Sequence, residues 1–210
     1  MDKTIQIDTF TRFTRVSRET ITSLKKYEDI LIKANKTLNL VGNSTIKDIW
    51  TRHFLDSAQI IDFIDKNDNL CTDIGSGSGL PGIVLAIIMK HKKSSMKFNL
   101  YEKSFRKSQF LKEVSKKLDL HTEIFQKDIF QERNLKSDLI VARAFKPLPI
   151  ILELVNTNFK KFKSIILFLG KNGKEMLDDA LRKWQFEYKE KKSLTSDNSS
   201  LIKISNLKKK

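Results

Sequence analysis

Leu70-Cys71-Thr72-Asp73-Ile74-Gly75-Ser76-Gly77-Ser78-Gly79-Leu80-Pro81-Gly82-Ile83-Val84-Leu85-Ala86-Ile87-Ile88 decides how this chain folds. A short apolar run breaks into alternating glycines and resumes as an apolar run long enough for a helix. That order reads as strand, tight loop, helix. Gly75, Gly77 and Gly79 permit positive φ and leave no Cβ between the loop and a ligand. Pro81 is suited to the first helical turn. Such a loop aims backbone N–H groups and a helix N-terminus at whatever lies above the sheet. A P-loop is excluded, because Leu80-Pro81-Gly82 stands where Gly-Lys-Ser/Thr is needed. The dinucleotide fingerprint G-x-G-x-x-G fails too, at Leu80.

Downstream, strands and helices alternate, which predicts a parallel sheet covered on both faces. Phe98-Asn99-Leu100-Tyr101-Glu102 alternates like a strand and precedes a helix with Phe110, Leu111, Val114 and Leu118 inside. Residues 122–126 read as a third strand. Asp138-Leu139-Ile140-Val141-Ala142 is a fourth, nearly all apolar and so central. A helix follows Pro147, residues 165–169 form a fifth strand, and a helix after Asn172 carries Met176, Leu177, Ala180, Leu181 and Trp184. Alternating stretches around Phe186-Tyr188 and Leu201-Ile204 close the chain.

Upstream, Ile21, Leu24, Leu31, Ala34 and Leu38 lie on one helical stripe. Ser44 to Asp48 offers a capping box for a second helix bearing Trp50, Phe54, Ala58 and Ile61. On it Arg52 and Asp56 are spaced to pair, and His53 shares a face with Asp56. The expected division is a helical extension over 1–65, a catalytic domain over 66–207, and a frayed basic tail at 208–210.

The 210 residues carry a formal charge of +15, which suits an acidic polymer, nucleic acid before membrane. A single cysteine excludes a disulfide framework and fits a reducing cytoplasm. No apolar run reaches membrane-spanning length, and Met1 to Phe13 lack the apolar core expected of a signal peptide. His53, His91 and His121 lack metal-ligand spacing, so no metal is expected. His91 and His121 read as solvent or helix-end residues.

Asp73, two residues before Gly75, completes Asp-x-Gly-x-Gly-x-Gly, which resembles motif I of Rossmann-type S-adenosylmethionine-dependent methyltransferases. In that setting Glu102, at the end of the second strand, would hold the two ribose hydroxyls. Asn39-Leu40-Val41, Arg52-His53-Phe54-Leu55-Asp56-Ser57, Lys107 with Phe110-Leu111, and Arg143-Ala144-Phe145 narrow the likeness. Together with residues 73–82 they are similar to the bacterial 16S rRNA guanine-N7 methyltransferase family, also called glucose-inhibited division protein B. The likeness spans about 35–170.

The resemblance implies a class I methyltransferase fold, an α/β architecture with a mostly parallel seven-stranded sheet ending in a hairpin, and an N-terminal helical extension. It implies S-adenosylmethionine as cofactor, 16S rRNA or the small ribosomal subunit as substrate, and a cytoplasmic monomer. Asp73, Gly75, Gly77, Gly79, Leu80 and Glu102 would form the cofactor loop and clamp. Ile129 and Phe130 would sit by the adenine, Phe130 standing where the family usually has an acid, and Arg143 is a further family contact. The charge excess and their positions near strand ends put Arg52, Arg106, Lys107 and Lys171 on a phosphate-binding surface for RNA, with His53 a candidate substrate contact; Lys171 follows the family's Lys-Gly pair only roughly. His53 is equally readable as a structural partner of Asp56, and Arg143 as a structural bridge from the sheet edge to an acid.

The chemistry is also argued from missing groups. Carbon methylation of pyrimidines commonly uses a cysteine nucleophile, and Cys71 opens a buried strand. Methylation of exocyclic amines commonly uses an Asp/Asn-Pro-Pro-aromatic turn, where this chain has Ala142-Arg143-Ala144-Phe145. Guanine N7 carries a lone pair and no proton, so it needs positioning rather than a base. Two other classes compete: a non-catalytic rRNA-binding assembly factor that retains the cofactor pocket, and a nicotinamide dehydrogenase, which Leu80 and the positive charge oppose. Methyl incorporation separates the first, and binding of S-adenosylmethionine against NAD the second.

Overall fold

The computed structural model describes residues 2–210. Helices α1 (Lys3–Thr14) and α2 (Arg18–Leu38) come first, followed by a 3₁₀ turn (Asn43–Asp48), a π turn (Trp50–Leu55) and a one-turn α3 (Asp56–Ala58). Then come β1 (Leu70–Ile74), α4 (Gly82–His91), β2 (Lys97–Tyr101), α5 (Phe105–Leu118) and β3 (Thr122–Phe125). The chain continues through β4 (Leu135–Lys136), β5 (Leu139–Ala142), α6 (Leu148–Asn158), β6 (Phe159–Lys161) and β7 (Ser164–Leu169). It closes with α7 (Gly173–Lys183), β8 (Trp184–Lys192) and β9 (Ser200–Lys209).

Seven strands form one sheet in the order β3-β2-β1-β5-β7-β9-β8. The first five of that order are mutually parallel, and β9 runs antiparallel to both β7 and β8. The expected closing hairpin is therefore present, and β5 is the middle strand. A separate parallel pair, β4 with β6, has no counterpart in the expectations above.

Both faces of β5 are apolar because both are covered. Leu139 and Val141 pack with α2, α4, α5 and the π turn, whereas Ile140 and Ala142 pack with α6 and α7. The N-terminal helices belong to the first of these layers. Phe10, Leu24, Tyr27, Leu31, Trp50 and Phe54 are fully buried against it, with Trp50 edge-on to Phe10 and Phe54.

Several local expectations are corrected. The stretch after Ser44 is not one α-helix: it winds as 3₁₀, then π, then α. The i→i+5 bonding of a π turn moves position i+4 off the stripe, so Asp56 meets Arg143 and not Arg52. Thr45 does not cap, because its hydroxyl bonds Gly42 O and His53 Nε2. Pro81, joined to Leu80 by a cis peptide, precedes α4 instead of entering its first turn. Trp184 begins β8 and is not on α7. Lys208 and Lys209 are not frayed, for they pair with Gln185 and Trp184 at the end of β9.

Candidate active site

The glycine loop is fastened from below and from its sides. Asp73 Oδ2 accepts the Gly82 amide at 2.9 Å, and its carboxylate is buried. Burial pushes its pKa up to about 7 against the pull of that hydrogen bond. A Cβ on Gly82 would fall 2.5 Å from Asp73 Oδ2, so only glycine lets the helix start this close. The amides of Gly75 and Ser76 both donate to Tyr101 O, at 3.0 and 2.9 Å. From α2, Tyr27 OH donates to Ser78 O at 2.5 Å.

Glu102 meets the same loop from β2. Its Oε2 accepts the Gly77 amide at 2.9 Å and its Oε1 accepts the Ser104 amide at 2.7 Å. Gly77 has φ +55°, and a Cβ there would meet nothing nearer than Gly75 O at 3.8 Å, so the backbone faces open space. At Gly75 a Cβ would strike the Phe145 ring. That ring also stacks on Phe130, with centroids 6.0 Å apart.

Opposite the loop lies a polar cluster drawn from three parts of the chain. Arg143, just after β5, donates from Nε to Asp56 Oδ2 at 2.6 Å and from Nη2 to Arg52 O at 2.9 Å. Asp56 Oδ1 also accepts Gln59 Nε2 and the Thr195 hydroxyl, tying down the β8–β9 loop. His53 Nε2 bonds Thr45 Oγ1 at 2.7 Å, while its Nδ1 lies 3.4 Å from Arg143 Nη2. Burial, and then the Arg143 charge, pull the His53 pKa down to about 4, so the ring is neutral near pH 7.

Between the loop and this cluster runs a cleft of about 770 Å³. It gathers Gly75, Gly77, Leu80, Glu102, Ile129, Phe130, Arg143, His53 and Lys107 from the residues expected to act. Asp73 and Gly79 do not line it; they sit beneath and behind the loop. Arg52 contributes its backbone carbonyl to Arg143, Arg106 Nη2 donates to Thr37 O at the end of α2, and Lys171 is exposed one residue past the lining Gly170. Sequence reasoning missed Tyr27 and the β8–β9 loop, and took Phe145 as a motif residue without its place against Gly75. Tyr27 does lie on the stripe of Leu24 and Leu31, a signal for burial that says nothing of its hydroxyl.

A glycine loop after β1, an acid ending β2 and a cleft at the carboxyl ends of parallel strands define a class I methyltransferase. Solved structures agree on the fold. The chain is similar to the 16S rRNA methylase RmtB (TM-score 0.55, 15% identity, 93% of this chain and 76% of that one) and to M. capricolum TrmK bound to S-adenosyl-homocysteine (TM-score 0.53, 16% identity, 71% and 66%). The family described as GidB, rRNA small subunit methyltransferase G, matches residues 20–203. Proteins named ribosomal RNA small subunit methyltransferase G are 48% identical in Pelagibacter ubique (93% of this chain, 92% of the relative) and 37% in Orientia tsutsugamushi (90% and 92%). The chain belongs to the rRNA small subunit methyltransferase G family, and it is an S-adenosylmethionine-dependent rRNA methyltransferase.

Proposed function

We propose that this chain transfers the methyl group of S-adenosylmethionine to N7 of a guanosine in 16S rRNA, as a cytoplasmic monomer. One observation carries the choice of acceptor atom: each carboxylate and imidazole lining the cleft is already bonded within the protein. Asp56 holds Arg143, Gln59 and Thr195; Glu102 holds two amides; Asp128 accepts the Phe130 amide; His53 is held by Thr45. Cys71 is buried in β1 and does not line the cleft. Such a site suits an acceptor that surrenders no proton, and guanine N7 is one.

The cleft fits the cofactor. Its size is that of a small-molecule site, and the open face of Gly77 admits a ligand against the backbone. When bound, S-adenosylmethionine supplies an electrophilic methyl group on a sulfonium centre. Gly75, Gly77 and Leu80 would hold it at the backbone, Glu102 would take the ribose hydroxyls on its remaining lone pairs, and Ile129 and Phe130 would flank the adenine. Asp73 and Gly79 set the loop's shape. Arg143 is kept from forking onto guanine O6 and N7, which would occupy the attacking lone pair, because Asp56 and Arg52 O hold its Nε and Nη2. Arg52, Arg106, Lys107 and Lys171 would meet RNA phosphates, and His53 would steady Arg143. Holding acceptor and donor in line supplies about 7–11 kcal/mol of the barrier.

The test is labelled methyl transfer to small subunits from a strain lacking this protein, followed by nucleoside analysis. Label in 7-methylguanosine is expected. Label in an exocyclic amine or a pyrimidine carbon contradicts the assignment, and RNA binding without transfer favours an assembly factor.

A further inference from the structure

Phe105 opens α5 and is 61% exposed, more than any other large apolar side chain among the described residues. Burial of an aromatic ring is ordinarily favourable, and here most of that gain is left unclaimed. Its place is particular. Lys103 and Lys107, two residues before and after it, line the cleft, Arg106 beside it donates to Thr37 O, and Glu102, three residues before it, grips the glycine loop. Lys103, Arg106 and Lys107 form no ion pair among the described residues, although lysines elsewhere on the chain do. The other exposed aromatic side chains differ: Phe13 lies on α1, Tyr188 on β8 against Phe186, and Phe130 is stacked on Phe145.

An uncovered ring next in sequence to cations that carry no carboxylate partner suits an unpaired nucleotide, whose base stacks on the ring while its phosphate meets the cations. A base inside a duplex has no free face to offer. We propose that Phe105, flanked by Lys103, Arg106 and Lys107, seats an unpaired base of the RNA strand beside the target guanosine. This rests on the rRNA reading above and adds to it that the strand is read single-stranded at the cleft mouth. The target base must leave its stack to reach the cleft, so a neighbour held open by Phe105 follows from the same geometry.

The test uses the full chain, a fluorescently labelled single-stranded oligoribonucleotide containing one guanosine, and the blunt duplex of that sequence. Phe105→Ala is expected to weaken single-strand binding about 5- to 150-fold, leaving duplex binding and calorimetric affinity for S-adenosylmethionine unchanged. Phe105→Tyr should bind like the parent and Phe105→Leu should not. Phe105→Trp adds an exposed indole to a chain whose own Trp50 and Trp184 are buried, and the single strand should quench it. Three results overturn the proposal: Ala or Leu binding as well as Phe, equal loss on duplex and single strand, or no binding of the oligonucleotide by the parent. If the stacking results hold but the parent transfers no label to guanine N7, the seat stands and the methylation reading falls.

Discussion

The two ends of the parallel strands are built from similar residues and used in opposite ways. At the amino ends, polar groups close on one another. Asp138 Oδ2 accepts the amides of Asn69 and Leu70, Lys163 bridges Asp138 and Asp68, and Lys203 joins Asp65 and Phe63 O. At the carboxyl ends, Glu102 and Arg143 are also bonded, yet both line an open cleft. The aspartates mark the contrast. Burial raises the pKa of Asp138, but the Asn69 amide, Lys163 and the Leu70 amide outweigh it and hold the group below the carboxylate range. Burial wins at Asp73. One end is closed by folding, and the other keeps an open cleft over left-handed glycines and a buried carboxylate beneath them.

Breaking each end should damage different properties. Gly77→Val places a branched side chain in the cofactor's path, and S-adenosylmethionine binding should become undetectable by calorimetry while the domain stays folded. The left-handed φ costs about 1–2 kcal/mol of stability. Asp138→Ala should do the reverse, costing about 2–4 kcal/mol in urea unfolding through its lost charged hydrogen bonds and leaving cofactor affinity unchanged. Their pH signatures should also oppose. Asp138, with its folded pKa depressed, stabilises above the ordinary carboxylate range and loses that contribution as pH falls through its folded value. Asp73, raised to about 7, stabilises fully below about pH 4 and loses that as pH rises through 7. Asp73→Asn should therefore gain on the parent between pH 4 and 7, by up to about 1.4 kcal/mol per pH unit. Parallel stability curves for the two proteins would remove Asp73 from this account.

Glu102→Ala tests whether the loop and the ligand share one carboxylate. Cofactor affinity should fall by about 1–3 kcal/mol, with a smaller loss of stability from the freed Gly77 and Ser104 amides. Unchanged affinity in the folded variant would take Glu102 out of the site.

The loop was legible in sequence because strand, turn and helix are contiguous there, and Glu102 followed from the methyltransferase resemblance, which asks for an acid at the end of the next strand. The layering followed from periodicity alone. Contacts made across the chain were not legible. Tyr27 reaches Ser78 over 51 positions and Arg143 reaches Asp56 over 87. Nothing in the residues near Arg143 chooses between an acid, a cofactor and a phosphate. The π turn escaped notice because six residues are too few for apolar spacing to separate i→i+4 from i→i+5 winding. Lys208 and Lys209 read as tail because strand pairing with β8 leaves no apolar mark on them.

The smallest expected effect is an absence. If no side chain accepts a proton, single-turnover methyl transfer with saturating RNA and cofactor should stay flat between roughly pH 6.5 and 9. An ordinary imidazole would give a step near 6.5. His53 does not supply one, since burial and the Arg143 charge hold it near 4 and it stays neutral throughout that range. Burial pushes the Asp73 pKa up to about 7, but its carboxylate lies beneath the loop. Its step belongs in cofactor affinity measured below saturation, and Asp73→Asn should erase it. Cys71→Ala should retain near-parental rates, and His53→Gln should raise the RNA concentration needed without lowering the saturated rate. Because a neutral His53 would act as a base without a step in this range, the saturated rate of His53→Gln decides: a large fall would make that histidine a catalytic base and would return the acceptor atom to the exocyclic amines.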